Sequence, residues 1–255
     1  LADQIIPVAD KAKDLQLAML ARYLLSSAYR TAGRRLRSLE VTDEIEAFST
    51  KYNDRRALGY AKWARAMNYS SEGSPEAALA AIENALENTI PGGADERVVL
   101  GIQSFCEIFL KHPNEVRPRI QNLIREARAR KDFNIAEVME WALSVLELKA
   151  GNLALGWKIL NTAIKQHSGN KNILAQCYIT KVETLLAISG VIDPASEAPK
   201  DRPVFPRKRP SIQDLVTFAS MRLSAKRQIK TSIEACLALP GHPHRARCNI
   251  ALGLL

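Results

Sequence analysis

The sequence predicts an all-α protein, a right-handed α-α superhelix of about five stacked helical hairpins. Two observations predict this fold class. Apolar residues recur at helical spacing, and no stretch shows the period-2 alternation of a strand. Turn signals recur every 39 residues, and a fixed period of about 20–50 residues is typical of helical repeats. A single hairpin cannot bury its apolar face, so neighbouring hairpins are expected to stack.

The composition excludes several other classes of protein. The chain has 255 residues, of which 47% are hydrophobic and 25% charged, so it can form a sizeable core and is not a disordered or collagen-like chain. Four cysteines without a C-x-x-C pair indicate a reducing compartment. Neither a signal peptide nor an apolar run of about 18 residues is present, so we expect a cytoplasmic protein without a membrane span.

The tight turns set the repeat. They centre on Arg34, Gly73, His112, Gly151 and Gly190, each 39 residues after the previous one. Looser breaks are predicted between them, near residues 53–54, 92–93, 132 and 169. The predicted unit is therefore a helix, a tight turn, a second helix and a looser turn. The first helices are placed near residues 59–70, 98–110, 137–149 and 176–188.

Three polar residues are predicted to cap helices. Ser74 precedes a proline, which suits the first helical position, and Asp95 follows the Gly-rich break. Ser211 is predicted to begin a long helix that runs to about Leu239. Each cap would satisfy backbone N–H groups that have no partner within the first helical turn.

The segment LKAGNLALGWKILNTAI resembles the centre of a tetratricopeptide (TPR) repeat. Gly156 takes the small-residue place, Leu160 the large apolar place and Ala163 the second small place. In an earlier unit Ala78, Ile82 and Ala85 take the same three places, and Gly73 lies in the turn before them. The resemblance covers about residues 55–189 and implies a TPR-like solenoid, although the period of 39 exceeds the usual length of about 34.

The unit between these two departs from the pattern. Arg117 stands where the small residue belongs, so we expect a register slip of one residue in that helix.

The tail, residues 209–255, resembles the end of the helical-repeat arm of bacterial multidomain adenylate/guanylate cyclases. The residues that carry this resemblance are Arg209-Pro210, Ala225-Lys226-Arg227, Ala246-Arg247 and Ala251-Leu252-Gly253-Leu254-Leu255. It implies a C-terminal arm in a larger signalling protein. The chain begins without Met and ends on an apolar run, so we expect a piece of a longer protein. It carries no cyclase or nucleotide-binding motif itself.

Charge and proline content divide the chain into three segments. Residues 1–190 are predicted to form the repeats, residues 191–210 a Pro-rich insertion with five prolines, and residues 211–255 basic helices that continue the solenoid. From residue 200 onward there are 11 Lys and Arg but only 3 Asp and Glu. Such a basic surface could meet an acidic partner, nucleic acid or an anionic surface, or could simply be solvated.

No catalytic motif occurs, so we expect no enzymatic activity and no cofactor in this chain. Cys236, His242, His244 and Cys248 could in principle bind zinc. Their spacing matches no familiar module, and we favour two buried thiols beside a turn rich in His and Pro over a metal site.

The predicted function is a non-catalytic scaffold or regulatory domain. Its partner would be a protein or peptide segment, or another domain of the parent chain. The alternative is nucleic-acid or anionic-surface binding through the basic C-terminal part. Trp63 and Trp141 could anchor a partner or fill gaps between layers, and packing is the favoured reading. The candidate partner-binding residues are Lys62, Trp63, Trp141, Arg207, Lys208, Arg209, Arg222 and Lys226.

Overall fold

All regular secondary structure in the described part of the chain is helical, as the sequence predicts. A computed structural model describes residues 2–166, 169–190, 210–239 and 248, and these residues form no β-strand. The eleven helices that they form are α1 (Ala2–Ala12), α2 (Leu15–Thr31), α3 (Arg35–Tyr52), α4 (Arg55–Ser71), α5 (Pro75–Leu86), α6 (Ala94–Glu107), α7 (Pro113–Ala129), α8 (Phe133–Lys149), α9 (Leu153–Gln166), α10 (Lys171–Ile188) and α11 (Ile212–Leu237).

The helices belong to two compact units. The N-terminal unit, Leu1–Phe109, contains α1–α6, and the C-terminal unit, Leu110–Leu255, contains α7–α11. This boundary falls inside the predicted repeat segment 1–190. Within each unit consecutive helices pack together, and helices two positions apart also touch: α2 with α4, α4 with α6, α8 with α10, and α9 with α11. Stacked hairpins produce such contacts, because each layer covers the one before it.

Left-handed residues close most of the short turns. Gly73 and Gly151, with φ of 76° and 80°, lie at predicted tight turns, where glycine avoids the steric cost of positive φ. The predicted alternation of tight and loose turns is wrong at two places. Asn53 and Lys131 also take positive φ, so the α3–α4 and α7–α8 turns are as short as the glycine turns.

The turn at His112 also differs from the prediction. It spans residues 108–112 and is longer than the glycine turns. His112 precedes Pro113 and has φ −64° and ψ 138°. A residue before proline is pushed to extended geometry, so it cannot supply the left-handed step of a compact turn.

The register slip predicted for α7 is confirmed. A step of 39 residues back from Gly156, Leu160 and Ala163 leads to positions 117, 121 and 124. The buried residues of α7 are instead Val116, Ile120 and Leu123, each one position earlier. Arg117 therefore lies beside the buried stripe and reaches Glu147 on α8. The structure thus keeps the apolar stripe in the core and moves the arginine to its edge.

The predicted side-chain cap forms at one of the three places. Ser211 begins α11 through a capping box with Asp214, which supplies partners for N–H groups of the first turn. Ser74 occupies the predicted cap position, although its side chain makes no capping hydrogen bond. Asp95 is not a cap, since Gly93 holds that position and Asp95 lies in the first turn of α6.

No helix in the described ranges is both long and apolar enough to cross a lipid bilayer.

Candidate protein-binding face

An aromatic patch lies on the first helices of the N-terminal unit. It consists of Tyr23 on α2 and Tyr60 and Trp63 on α4, all half-buried. The Tyr23 ring centroid lies 5.1 Å from that of Tyr60 and 5.0 Å from that of Trp63, and Tyr60 and Trp63 are 5.2 Å apart. These distances suit mutual aromatic packing. The patch forms because α2 and α4 pack side by side, and each of the three residues remains partly exposed.

A polar link joins α4 to α6 at the end of this patch. The Tyr60 hydroxyl donates to Asp95 Oδ1 at 3.1 Å, and Arg56 Nε donates to Asp95 Oδ2 at 2.8 Å. Arg56 and Asp95 are one 39-residue stride apart, so equivalent positions of neighbouring hairpins meet here. Burial, followed by the Asp95 charge, raises the pKa of Tyr60.

Arg30 provides a half-buried cation at the end of α2. Its guanidinium donates only long hydrogen bonds, to Ser71 Oγ at 3.4 Å and Ser27 Oγ at 3.5 Å. Burial lowers the pKa of Arg30, and no carboxylate among the described residues pairs with it. A half-buried guanidinium without an anionic partner favours the arrival of a carboxylate.

Lys62 faces α3, where it is engaged in an ion-pair network. Its ammonium pairs with Glu46, and Arg65 pairs with Glu46 at 3.0 Å and with Asp43 at 2.7 Å. The hydrogen bond from Lys62 is the main cause that lowers the pKa of Glu46, and Arg65 adds to it. Lys62 therefore joins α4 to α3, although the sequence suggested it as a partner-binding residue.

We expect this network to stabilise the fold in a pH-dependent way. The lowered pKa of Glu46 means that its contribution is present above the ordinary glutamate pKa and is lost as the pH falls through the lower value of the folded state. Glu46→Gln should reduce the free energy of unfolding at pH 7 by about 0.2–1 kcal/mol, the range for exposed pairs. The deficit should shrink as the pH falls below 4. Urea unfolding at pH 7 and pH 3 measures both values.

The matched control is Glu83→Gln, which removes an exposed carboxylate on α5. It should change the free energy of unfolding by less than about 0.5 kcal/mol at either pH. A Glu46→Gln deficit that grows as the pH falls would contradict the assignment.

The side chain of Trp141 joins its own helix, α8, to α10 in the C-terminal unit. Its indole N–H donates to Thr180 Oγ1 at 2.9 Å, and the two residues are again 39 positions apart. Trp141 is half-buried and packs against the cluster around Leu160 and Cys177. Trp141 thus packs between neighbouring helices and remains partly exposed, as does Trp63.

Lys181 is the C-terminal counterpart of Arg30. It is half-buried, its Nζ lies 5.2 Å from the Trp157 ring centroid, and it donates to Asn161 Oδ1 at 3.0 Å. Burial lowers the pKa of Lys181, and the described carboxylates include no partner for it. Tyr23, Arg30, Trp157 and Lys181 were missed at the sequence level, because single aromatic or basic residues give no signal until the helices are packed.

The basic C-terminal candidates are only partly described. Arg222 and Lys226 are exposed on α11. Arg207, Lys208 and Arg209 lie outside the described residues, as do His242 and His244. The chain's four cysteines are all described, are buried and form no disulfide. Burial raises the pKa of Cys236 to about 12, with Cys248 adding to the shift. Within the described ranges, no group of three or more His, Cys, Asp or Glu side chains could hold a metal ion.

Comparison of the chain with protein-family models, with curated proteins and with solved structures finds no match.

Proposed function

We propose that the chain is a non-catalytic scaffold or regulatory domain, in which each unit binds an acidic protein segment beside the half-buried cation of its first helices. These helices are α2, α4 and α6 in the N-terminal unit and α8 and α10 in the C-terminal unit. A TPR-like superhelix is the architecture we propose for it. The contacts between helices two positions apart and the 39-residue pairs support that architecture.

The observation that carries this proposal is a half-buried cation that pairs with no carboxylate of the described residues and lies beside partly exposed aromatic residues. In the N-terminal unit it is Arg30, which lies near Tyr23. In the C-terminal unit it is Lys181 on α10, which lies against Trp157 of the preceding second helix, α9. A cation that is already partly desolvated gains strongly from a carboxylate, and aromatic anchors contribute most of the binding energy in many interfaces. Together they favour a segment with acidic and apolar side chains.

The resemblance of the tail suggests where such a segment could come from. We propose that the chain serves as an arm of a larger bacterial signalling protein similar to the multidomain adenylate cyclases. Its partner would then be another domain of the same polypeptide, in the cytoplasm. The equal stride of the turns and the tail residues Ala225-Lys226-Arg227 are the sequence features that support this proposal.

Selection from a displayed library of random linear peptides tests the binding function without knowledge of the partner. Selected peptides should be enriched in Asp and Glu next to a large apolar residue. Trp63→Ala and Arg30→Gln should each weaken a peptide that binds the N-terminal unit by about tenfold or more. Trp141→Ala and Lys181→Gln should do the same for one that binds the C-terminal unit. Fluorescence anisotropy measures each affinity.

Matched substitutions away from the face serve as controls. Tyr52→Ala removes an exposed aromatic ring at the end of the second helix α3, and Arg34→Gln removes an exposed charge in the α2–α3 turn. Both should bind as the original chain does, and thermal unfolding should show that every compared variant remains folded. Selected peptides without acidic enrichment, or equal losses in the test and control variants, would contradict the proposal.

A further inference from the structure

The outward face of α11 combines large aliphatic side chains with exposed cations. Four aliphatic residues are far more exposed than a packed helix face would leave them: Ile212 (82%), Leu215 (55%), Val216 (64%) and Leu223 (89%). The buried residues of α11 all lie from Met221 onward and include Met221, Ala225, Ile229 and Ile233. α11 is therefore anchored through its later turns, whereas the turns before Met221 contain no buried residue.

Four basic residues share this outward face. Arg222, Lys226, Arg227 and Lys230 are all exposed, and no carboxylate in the described parts of the chain pairs with them. At 100° per residue, the four cations and four aliphatic residues fall within an arc of about 140°. The aliphatic residues occupy the first half of the helix and most of the cations the second half. Glu234 is the exposed acidic residue nearest to them along the helix.

We propose that this α11 face binds the surface of an anionic lipid bilayer, with the helix lying parallel to the membrane plane. The aliphatic side chains would enter the boundary between headgroups and acyl chains, and the cations would contact anionic headgroups. Interfacial helices combine these two features, since neither term alone gives strong attachment. The buried residues from Met221 onward hold α11 to the rest of the fold, so binding uses a helix that is already formed.

The chemistry of the face separates a bilayer from other anionic partners. Nucleic acid would use the cations, but its phosphate backbone would leave Ile212, Val216 and Leu223 in water. Aromatic rings that could stack on bases are also sparse on α11, where Phe218 is the single aromatic residue and is 38% exposed. A second copy of the chain would place cations against cations in a parallel pair of α11 helices, and cations against aliphatic side chains in an antiparallel pair. A bilayer accommodates both the charge and the apolar surface.

Vesicle flotation with the full 255-residue chain tests the proposal. The chain should bind vesicles of phosphatidylcholine with 30% phosphatidylserine and should not bind vesicles of phosphatidylcholine alone. Lys226→Gln/Lys230→Gln should weaken binding by about 25-fold, since each cation near the surface contributes about fivefold. Ile212→Ser/Leu223→Ser should also reduce binding at least about tenfold, because the insertion of two aliphatic side chains is lost.

Matched variants separate the face from general charge and hydrophobicity. Lys158→Gln/Lys165→Gln removes the same charge from exposed positions of α9, and Leu36→Ser removes a 74% exposed leucine from α3. These controls should bind anionic vesicles as the original chain does. Equal binding to both kinds of vesicle, equal losses in control and α11 variants, or no binding to vesicles would overturn the proposal. So would tighter binding to a DNA or RNA duplex that depends on Lys226 and Lys230 but not on Leu223.

Discussion

Arg117→Met is expected to lower the free energy of unfolding by about 3–5 kcal/mol, the typical cost when one partner of a buried ion pair is removed. Glu147 on α8 is 1% exposed and accepts hydrogen bonds from Arg117 Nε at 2.5 Å and Arg117 Nη2 at 3.1 Å. Asn152 Nδ2 also donates to Glu147 Oε2. Without the guanidinium, the carboxylate would remain buried with a neutral amide as its partner.

A double substitution separates the cost of the orphaned charge from the worth of the pair. Arg117→Met/Glu147→Leu replaces both charges with apolar side chains of similar size and should recover most of the loss. Arg125→Met on the exposed side of α7 is the matched control and should change stability by less than about 0.5 kcal/mol. Urea unfolding of the four proteins measures these values. If the double variant were as unstable as Arg117→Met, the orphaned carboxylate could not be the cause.

The repeat stride was predictable because backbone chemistry records it. Gly73, Gly151 and Gly190 stand where the chain needs positive φ, and all three take it. The turns at Asn53 and Lys131 were not recognised as equally short, because a non-glycine residue with positive φ carries a weaker signal. The sequence therefore revealed the short turns that end in glycine, but not those that end in Asn53 or Lys131.

The candidate face was predictable only where residue type alone gives a signal. Trp63 and Trp141 stand out in the sequence as rare, large side chains, and both lie half-buried on first helices. Arg30 and Lys181 stand out only when their surroundings are known, since their importance comes from burial without a carboxylate partner among the residues that the structure describes. Asp95 was interpreted as a cap because the local sequence shows that it follows a Gly-rich break. Its contacts with Arg56 and Tyr60 depend on the packing of α4 against α6.

Gly156 was predicted to be a small-residue position from the repeat pattern, and the structure explains why only a small residue fits there. A Cβ at this position would lie 2.8 Å from the backbone N and from Cγ of Leu148 on α8, a separation that Cβ atoms in proteins essentially never show. α8 and α9 therefore touch at a point where no side chain fits. Because Leu148 contributes a backbone atom to this contact, a rotamer change cannot relieve the overlap.

Gly156→Leu should therefore force α8 and α9 apart and lower the free energy of unfolding by about 3 kcal/mol, near the upper end for overpacked cores. Gly156→Ala should still cost about 1 kcal/mol, although alanine in an open helix position would gain about that much. The control is Gly169→Ala, where a Cβ meets no atom within 4 Å and the glycine is not in the left-handed region; it should be neutral or slightly stabilising. Urea unfolding measures the three differences. A Gly156→Ala variant more stable than the original chain would show that α8 and α9 can separate without cost, and the close contact would then not explain the small-residue place.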